Sequence, residues 1–131
     1  MPAQVKIIRA SDFLIATPQG QIDYEASKRL LLTLGSASAG LVAHEVLLDL
    51  RSAQSGLSAT DLWHLAAELS RSHTPFVCKI AILCRMTGSS QASFFALCAQ
   101  NRGLPVRAFT SFEDAVEWLI ADGPQQMENL G

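Results

Sequence analysis

Apolar residues gather along this chain in two kinds of run. Some are short and nearly continuous, bounded by polar or glycine-containing turns, and others recur every three or four positions. Val46 to Leu50 and "FVCKIAILC", residues 76 to 84, are of the first kind. Unbroken runs of that length are expected of strands covered on both faces. Val106 to Phe109 is a third and shorter one. Nearer the start, Val5 to Arg9 and Phe13 to Thr17 are separated by "ASD" and predict an N-terminal hairpin.

The periodic runs predict four helices. "DYEASKRLLLTLG" places Tyr24, Ser27, Leu31 and Leu34 near one face, with Asp23 as N-cap and Gly35 as the end. Ser58 and Asp61 make a capping box, Leu57 and Leu62 a hydrophobic staple, and Leu62, Leu65, Ala66 and Leu69 an apolar stripe. Phe94, Phe95 and Cys98 line a third helix, closed by a left-handed cap at Gly103 with Pro105 beyond. Ser111 and Asp114 open the fourth, whose Phe112, Ala115, Val116, Leu119 and Ile120 are expected to face inward before Gly123-Pro124 stops it.

The order is therefore ββα followed by βα three times. It predicts an α/β fold with a mostly parallel sheet, right-handed crossovers, helices on its faces and an antiparallel edge at the hairpin. With 131 residues and no repeat or low-complexity linker, one domain is expected over 1–131, its core spanning about 5–121 and 122–131 forming a flexible tail. The 49% hydrophobic and 17% charged content agrees with a compact chain that buries its own core. A net charge of -2 supplies no basic field for a phosphate backbone, which argues against nucleic acid as a partner. The first residues hold no apolar segment with a cleavage site, and no stretch approaches about 18 consecutive apolar residues, so a cytoplasmic location without membrane insertion is expected.

Candidate chemistry is sparse. Cys78, Cys84 and Cys98 have no C-x-x-C spacing, and Cys78 and Cys84 in one strand would lie roughly 20 Å apart, beyond disulfide reach. They read as small buried hydrophobes. His44, His64 and His73 lack further ligands at helical spacing; His64 with Glu68 gives only two, so neither a metal nor another cofactor is expected. No Walker A loop, G-x-S-x-G elbow or Cys-His arrangement is present, and no enzymatic turnover is expected. Lys79 and Asp49 interrupt neighbouring apolar strands and either pair with each other or reach the sheet edge. Trp63 and Trp118 fall off the main stripes, as peripheral core or as an anchor for a partner.

What remains are the loops at the carboxyl ends of the strands, where ligands meet such sheets. Arg51 to Gly56 follows one strand, "RMTGSS" (Arg85, Gly88, Ser89 and Ser90 among them) the next, and Thr110-Ser111 the last. Helix N-termini beside arginines can hold an anion, while Ser58, Ser89 or Ser90, and Ser111 can equally be ordinary N-caps. Ser55-Gly56 reads either as functional or as the punctuation of a turn.

The element order, with "EVLLDLRSAQSGL" and "NRGLPVRAFTSFEDAVEWL", resembles the STAS superfamily, specifically SpoIIAA-like proteins related to bacterial anti-sigma-factor antagonists. The likeness runs from about Val5 to Ala121, and its tail, Asn101-Arg102-Gly103 and Glu113 to Leu119, resembles a branch of small standalone bacterial proteins. The resemblance implies a non-enzymatic regulatory domain with a protein partner, such as a kinase or an anti-sigma-like protein, and a homodimer as a further option. In those antagonists a serine before a glycine, at the start of the second helix, is phosphorylated and controls partner binding. Ser55-Gly56-Leu57 matches that S-G-L, with Gln54 and Arg51 beside it. Ala53-Gln54 stands where the family has Asp-Ser, and the loop after Leu50 is shorter. Two other readings come from the residues themselves. One is a carrier of a small apolar or lipid-like ligand, lined by Phe94, Phe95 and Phe109; the other is an anion or nucleotide sensor at the strand-end loops.

Overall fold

The computed structural model describes residues 4–9, 13–39, 45–72 and 79–121. Strands β1 (Gln4–Arg9) and β2 (Phe13–Ile22) precede helix α1 (Tyr24–Ala39). Then follow β3 (Glu45–Asp49), a short β4 (Ala53–Ser55), α2 (Ala59–Ser72), β5 (Ile80–Leu83), a single 3-10 turn at Met86–Gly88, α3 (Ser89–Gln100), β6 (Val106–Phe109) and α4 (Phe112–Ile120). The expected tail at 122–131, His44, His73, Cys78, the front of the run at 76–78, the stop at Gly123-Pro124 and the connection between β1 and β2 lie outside the described residues.

The sheet runs β1-β2-β3-β5-β6, with β4 attached to β2. Among the described strands only β1 and β2 pair antiparallel; β2 with β3, β3 with β5, and β5 with β6 are parallel. Successive residues of a strand point to opposite faces. Val46, Leu48, Ile80, Ile82 and Val106 accordingly pack under α1, α2 and α3, while Leu47, Ala81 and Leu83 meet Ala115 and Leu119 of α4. This doubly covered, mostly parallel arrangement is the α/β architecture that the order of apolar runs implies.

Local chemistry accounts for the ends of the elements. Asp23 accepts from the Ala26 N–H at 2.8 Å, and Ser58 and Asp61 bond reciprocally at 3.1 Å each, the complete capping box. Gly103 is left-handed, with φ +85°, and its neighbour Leu104 donates to the Ala99 carbonyl at 3.0 Å, closing α3 as a Schellman turn. Ser111 accepts from the Asp114 N–H at 3.3 Å.

Four expectations need correction. Helix α1 continues through Gly35 to Ala39, because a helical glycine costs only about 1 kcal/mol and ends a helix only where the backbone turns left-handed. β2 continues past Thr17 to Ile22. Pro18 falls between the last pairing with β3, at Ala16, and the first with β4, at Gly20, so its missing N–H interrupts neither ladder. Phe112 and Ile120 do not face inward: 42% and 53% of their surfaces are exposed. Lys79 and Asp49 do not pair, since the β3–β5 register sets Ile80 beside Val46 and Leu83 beside Asp49, placing the two charges at opposite ends of the sheet. Asp49 instead binds Arg51, and the Lys79 ammonium donates to the Trp118 and Ala121 carbonyls at 2.8 and 2.7 Å, closing the C-terminus of α4.

Candidate functional site

The carboxyl edge of the sheet carries two lips. The first begins where β3 ends. Arg51 folds back on Asp49, its Nε and Nη2 donating to the two carboxylate oxygens at 3.0 and 2.9 Å, while its backbone N–H donates to Oδ1 at 3.0 Å. Burial works to raise the Asp49 pKa, but the hydrogen bonds from the Arg51 side chain and backbone, with its charge, outweigh that and hold the carboxyl below its ordinary value. The same pairing raises Arg51, which is therefore an anchor of the turn.

The chain then pairs again with the sheet, unexpectedly. Ala53, Gln54 and Ser55 run parallel to Gly20, Gln21 and Ile22 at the extended end of β2. Gly20 is left-handed, with φ +86°, and its N–H donates to the Ser52 carbonyl at 3.1 Å. Gln21 donates to the Gln54 side chain at 3.1 Å. Ser55 is thus the last residue of a short strand three residues ahead of the Ser58 capping box. Gly56, beside it, is exposed, is not left-handed, and a Cβ built on it would meet nothing within 4 Å. The turn does not require a glycine at that position, which corrects its reading as punctuation.

The second lip follows β5. Cys84 is buried at the strand end, and burial pushes its thiol pKa up. Arg85, Met86 and Thr87 are exposed around the 3-10 turn, and α3 begins at Gly88. Neither serine caps this helix. Gly88 is the N-cap and brings no side-chain bond, and the Ser89 hydroxyl donates back to the Met86 carbonyl at 2.9 Å; Ser90 is exposed. The Ser89 backbone N–H donates to the same Met86 carbonyl, so the 3-10 turn rather than a side chain leads into α3. The third loop, at Thr110-Ser111, caps α4, which packs on the opposite face.

The two lips belong together. Gln91 of α3 donates from Nε2 to the Leu57 carbonyl at 3.0 Å, tying the start of α3 to the approach to α2. Below that tie lies a cavity of about 500 Å³, whose wall includes Gln54 and Leu57 from one lip and Arg85, Thr87 and Gly88 from the other. Its interior is formed by leucines of α1, α2 and β3, together with Ile82 and Phe95. Ser27 of α1 also lines it; that residue is 6% exposed, and its hydroxyl has no hydrogen-bond partner among the described residues.

Candidate residues from the loops after β3 and β5 are thus assembled around one cavity. Of the aromatics suggested for a pocket, only Phe95 reaches it: Phe94 is partly exposed, and Phe109 packs on the other face against Trp118 at 5.8 Å. Trp63 is 48% exposed on α2, with the Arg102 guanidinium 4.9 Å from its ring and His64 edge-on at 5.2 Å. Sequence reasoning missed β4, Ser27 and Gln91. A three-residue strand carries too few positions for periodicity to register, and a serine on an apolar helix face was the one available signal for Ser27.

The sequence matches no protein-family model and no curated protein. Solved structures do match. An uncharacterized protein of the DUF3478 family with a SpoIIAA-like fold, from Shewanella loihica PV-4, superimposes with a TM-score of 0.57 at 20% identity over 89% of this chain and 93% of its own. An anti-sigma factor antagonist from Mycobacterium paratuberculosis does so with a TM-score of 0.59 at 15% identity, over the same shares of the two chains. The chain has a SpoIIAA-like fold, the one its resemblance implied, and its structural neighbours include an anti-sigma factor antagonist. Among the described residues no helix is long and apolar enough to cross a membrane.

Proposed function

We propose that this chain is a non-enzymatic, protein-binding regulatory domain of the anti-sigma-factor-antagonist type that presents the corner between β4 and α2 to its partner. Gly56 carries the reading. Its backbone conformation is open to any residue and space surrounds it, so the fold gains nothing from a bare backbone there, whereas a closely approaching partner does. Gln54, Ser58, Thr60, Trp63 and His64 are exposed along the same segment, and a half-exposed tryptophan is the kind of side chain that anchors an interface.

Phosphorylation of Ser55 is the regulatory step in this proposal. A phosphate would add about -1.5 to -2 charge just ahead of a helix N-terminus, where negative charge is tolerated, so it would change the corner without unfolding it. The experiment uses immobilised parent, Ser55→Ala, Ser55→Asp and Gly56→Val proteins, with capture from a lysate of the source organism read by quantitative mass spectrometry. Expected are unchanged melting temperatures, an altered retained set for Ser55→Asp, and loss of that set for Gly56→Val. Identical capture by all four forms would remove both the switch and the corner as a binding surface.

A further inference from the structure

Protein interiors hold few voids larger than a water molecule, and unfilled space beside apolar side chains forfeits their contacts. A cavity of about 500 Å³ in a 131-residue chain is therefore not ordinary core packing. It falls within the range of small-molecule sites, about 300 to 1,000 Å³.

Its lining specifies what would fit. Leu30, Leu31, Leu48, Leu65 and Phe95 provide an aliphatic and aromatic interior that suits a hydrocarbon. Among the described lining residues Arg85 is the only charged side chain, with no carboxylate to neutralise it. Next to it, α3 begins at Gly88 on the same wall with no side-chain cap, which puts the positive end of its dipole at the rim. The buried Ser27 hydroxyl, in the first turn of α1 just after β2 ends, has no hydrogen-bond partner among the described residues, a state that costs free energy until an acceptor or donor arrives.

We propose that this cavity binds a single-chain aliphatic carboxylate, its hydrocarbon among the leucines of α1, α2 and β3 and its head between Arg85 and the N-terminus of α3, with Ser27 supplying a further hydrogen bond. An aliphatic carboxylate is ionised at neutral pH, which matches the unopposed positive charge at the mouth. Aliphatic body and anionic head are both needed, because the wall divides into an apolar interior and a polar rim. The apolar-ligand and anion-sensing readings of the sequence thereby become two ends of one site. Gln91 and Leu57 lie on the same wall, so the ligand touches the β4–α2 corner from beneath. Ligand binding does not depend on whether that corner captures a partner.

The test is isothermal titration calorimetry of the full chain with sodium decanoate, decan-1-ol and sodium acetate. Saturable binding of one equivalent of decanoate is expected, with none for acetate. Arg85→Gln should weaken decanoate about two- to fivefold and leave decan-1-ol unchanged. Ser27→Ala should weaken decanoate about two- to tenfold. It should not lower the melting temperature, since it removes an unpartnered hydroxyl. Ala92→Phe, which fills the cavity from α3, should abolish binding of both decyl compounds; circular dichroism checks its fold, and the two polar substitutions test the site independently of it. Absence of saturable decanoate binding, or decanoate binding that neither Arg85→Gln nor Ser27→Ala changes, would overturn the proposal. Equal weakening of decanoate and decan-1-ol by Arg85→Gln would overturn the placement of the head.

Discussion

The two faces of the sheet are built from alternate residues of the same strands, yet they are finished differently. On one side, Leu47, Ala81 and Leu83 close against Ala115 and Leu119 of a single helix, and these five side chains are at most 2% exposed. On the other, three helices span the sheet, and their packing leaves a cavity at the carboxyl edge with an unpartnered serine in its wall. Polar groups on the α4 face are tied off: the Lys79 ammonium holds the last carbonyls of α4, and its backbone N–H donates to the Glu45 carboxylate at 2.6 Å. Around the cavity Gln54 and Gln91 are bonded, while the buried Ser27 hydroxyl has no hydrogen-bond partner among the described residues. One face thus serves stability, and the other gives up part of its packing at the edge where the candidate loops meet.

Truncating a core leucine gives the largest effect that can break this comparison. Leu47, fully buried on the α4 face, should cost about 2 to 5 kcal/mol as Leu47→Ala. Leu31→Ala, on the cavity wall, should cost at least about 1 kcal/mol less, because part of its surface already lacks neighbours. Urea denaturation of the two variants measures the difference, and equal costs would mean that the three-helix side is as tightly packed as the other. Enlarging small residues sharpens the contrast next. Ala81→Leu should overpack the α4 face and cost about 1 to 3 kcal/mol, whereas Ala92→Leu projects into available volume and should leave the midpoint nearly unchanged. Thermal melts of both settle it.

The smallest effect lies on the lip. The Asp49 carboxyl is held below its ordinary pKa by Arg51, so its contribution to stability is present above the unfolded value of about 4 and is lost as pH falls through the lower folded value. Arg51 is half exposed, so Asp49→Asn should cost at most about 1 kcal/mol at pH 7. The gap between parent and variant should close below about pH 4, as read by urea midpoints across pH. A gap that persisted at low pH would assign the effect to the backbone turn rather than to the ion pair.

Much of this molecule is decided locally and can be read along the chain. A buried parallel strand has to be apolar on both faces, so β3 and β5 declare themselves in Val46–Leu48 and Ile80–Leu83, each unbroken in hydrophobicity. Ser58, Gly103 and Ser111 declare helix ends because capping is a bond within a few residues. The positions of β4, Ser27 and Gln91 are of another kind. β4 is a strand only because β2 extends far enough past Pro18 to pair with it. Ser27 matters only because α1 crosses the sheet beside a space that α2 and α3 do not fill. Gln91 joins two loops that are 34 residues apart. Sequence by itself determined the order of the helices and of every strand but β4, the caps at Asp23, Ser58, Gly103 and Ser111, and the edge at which the candidate loops lie. Tertiary structure alone decided that two separate loops are the lips of one cavity, because the volume left between packed helices depends on how distant segments meet and has no signature along any one of them.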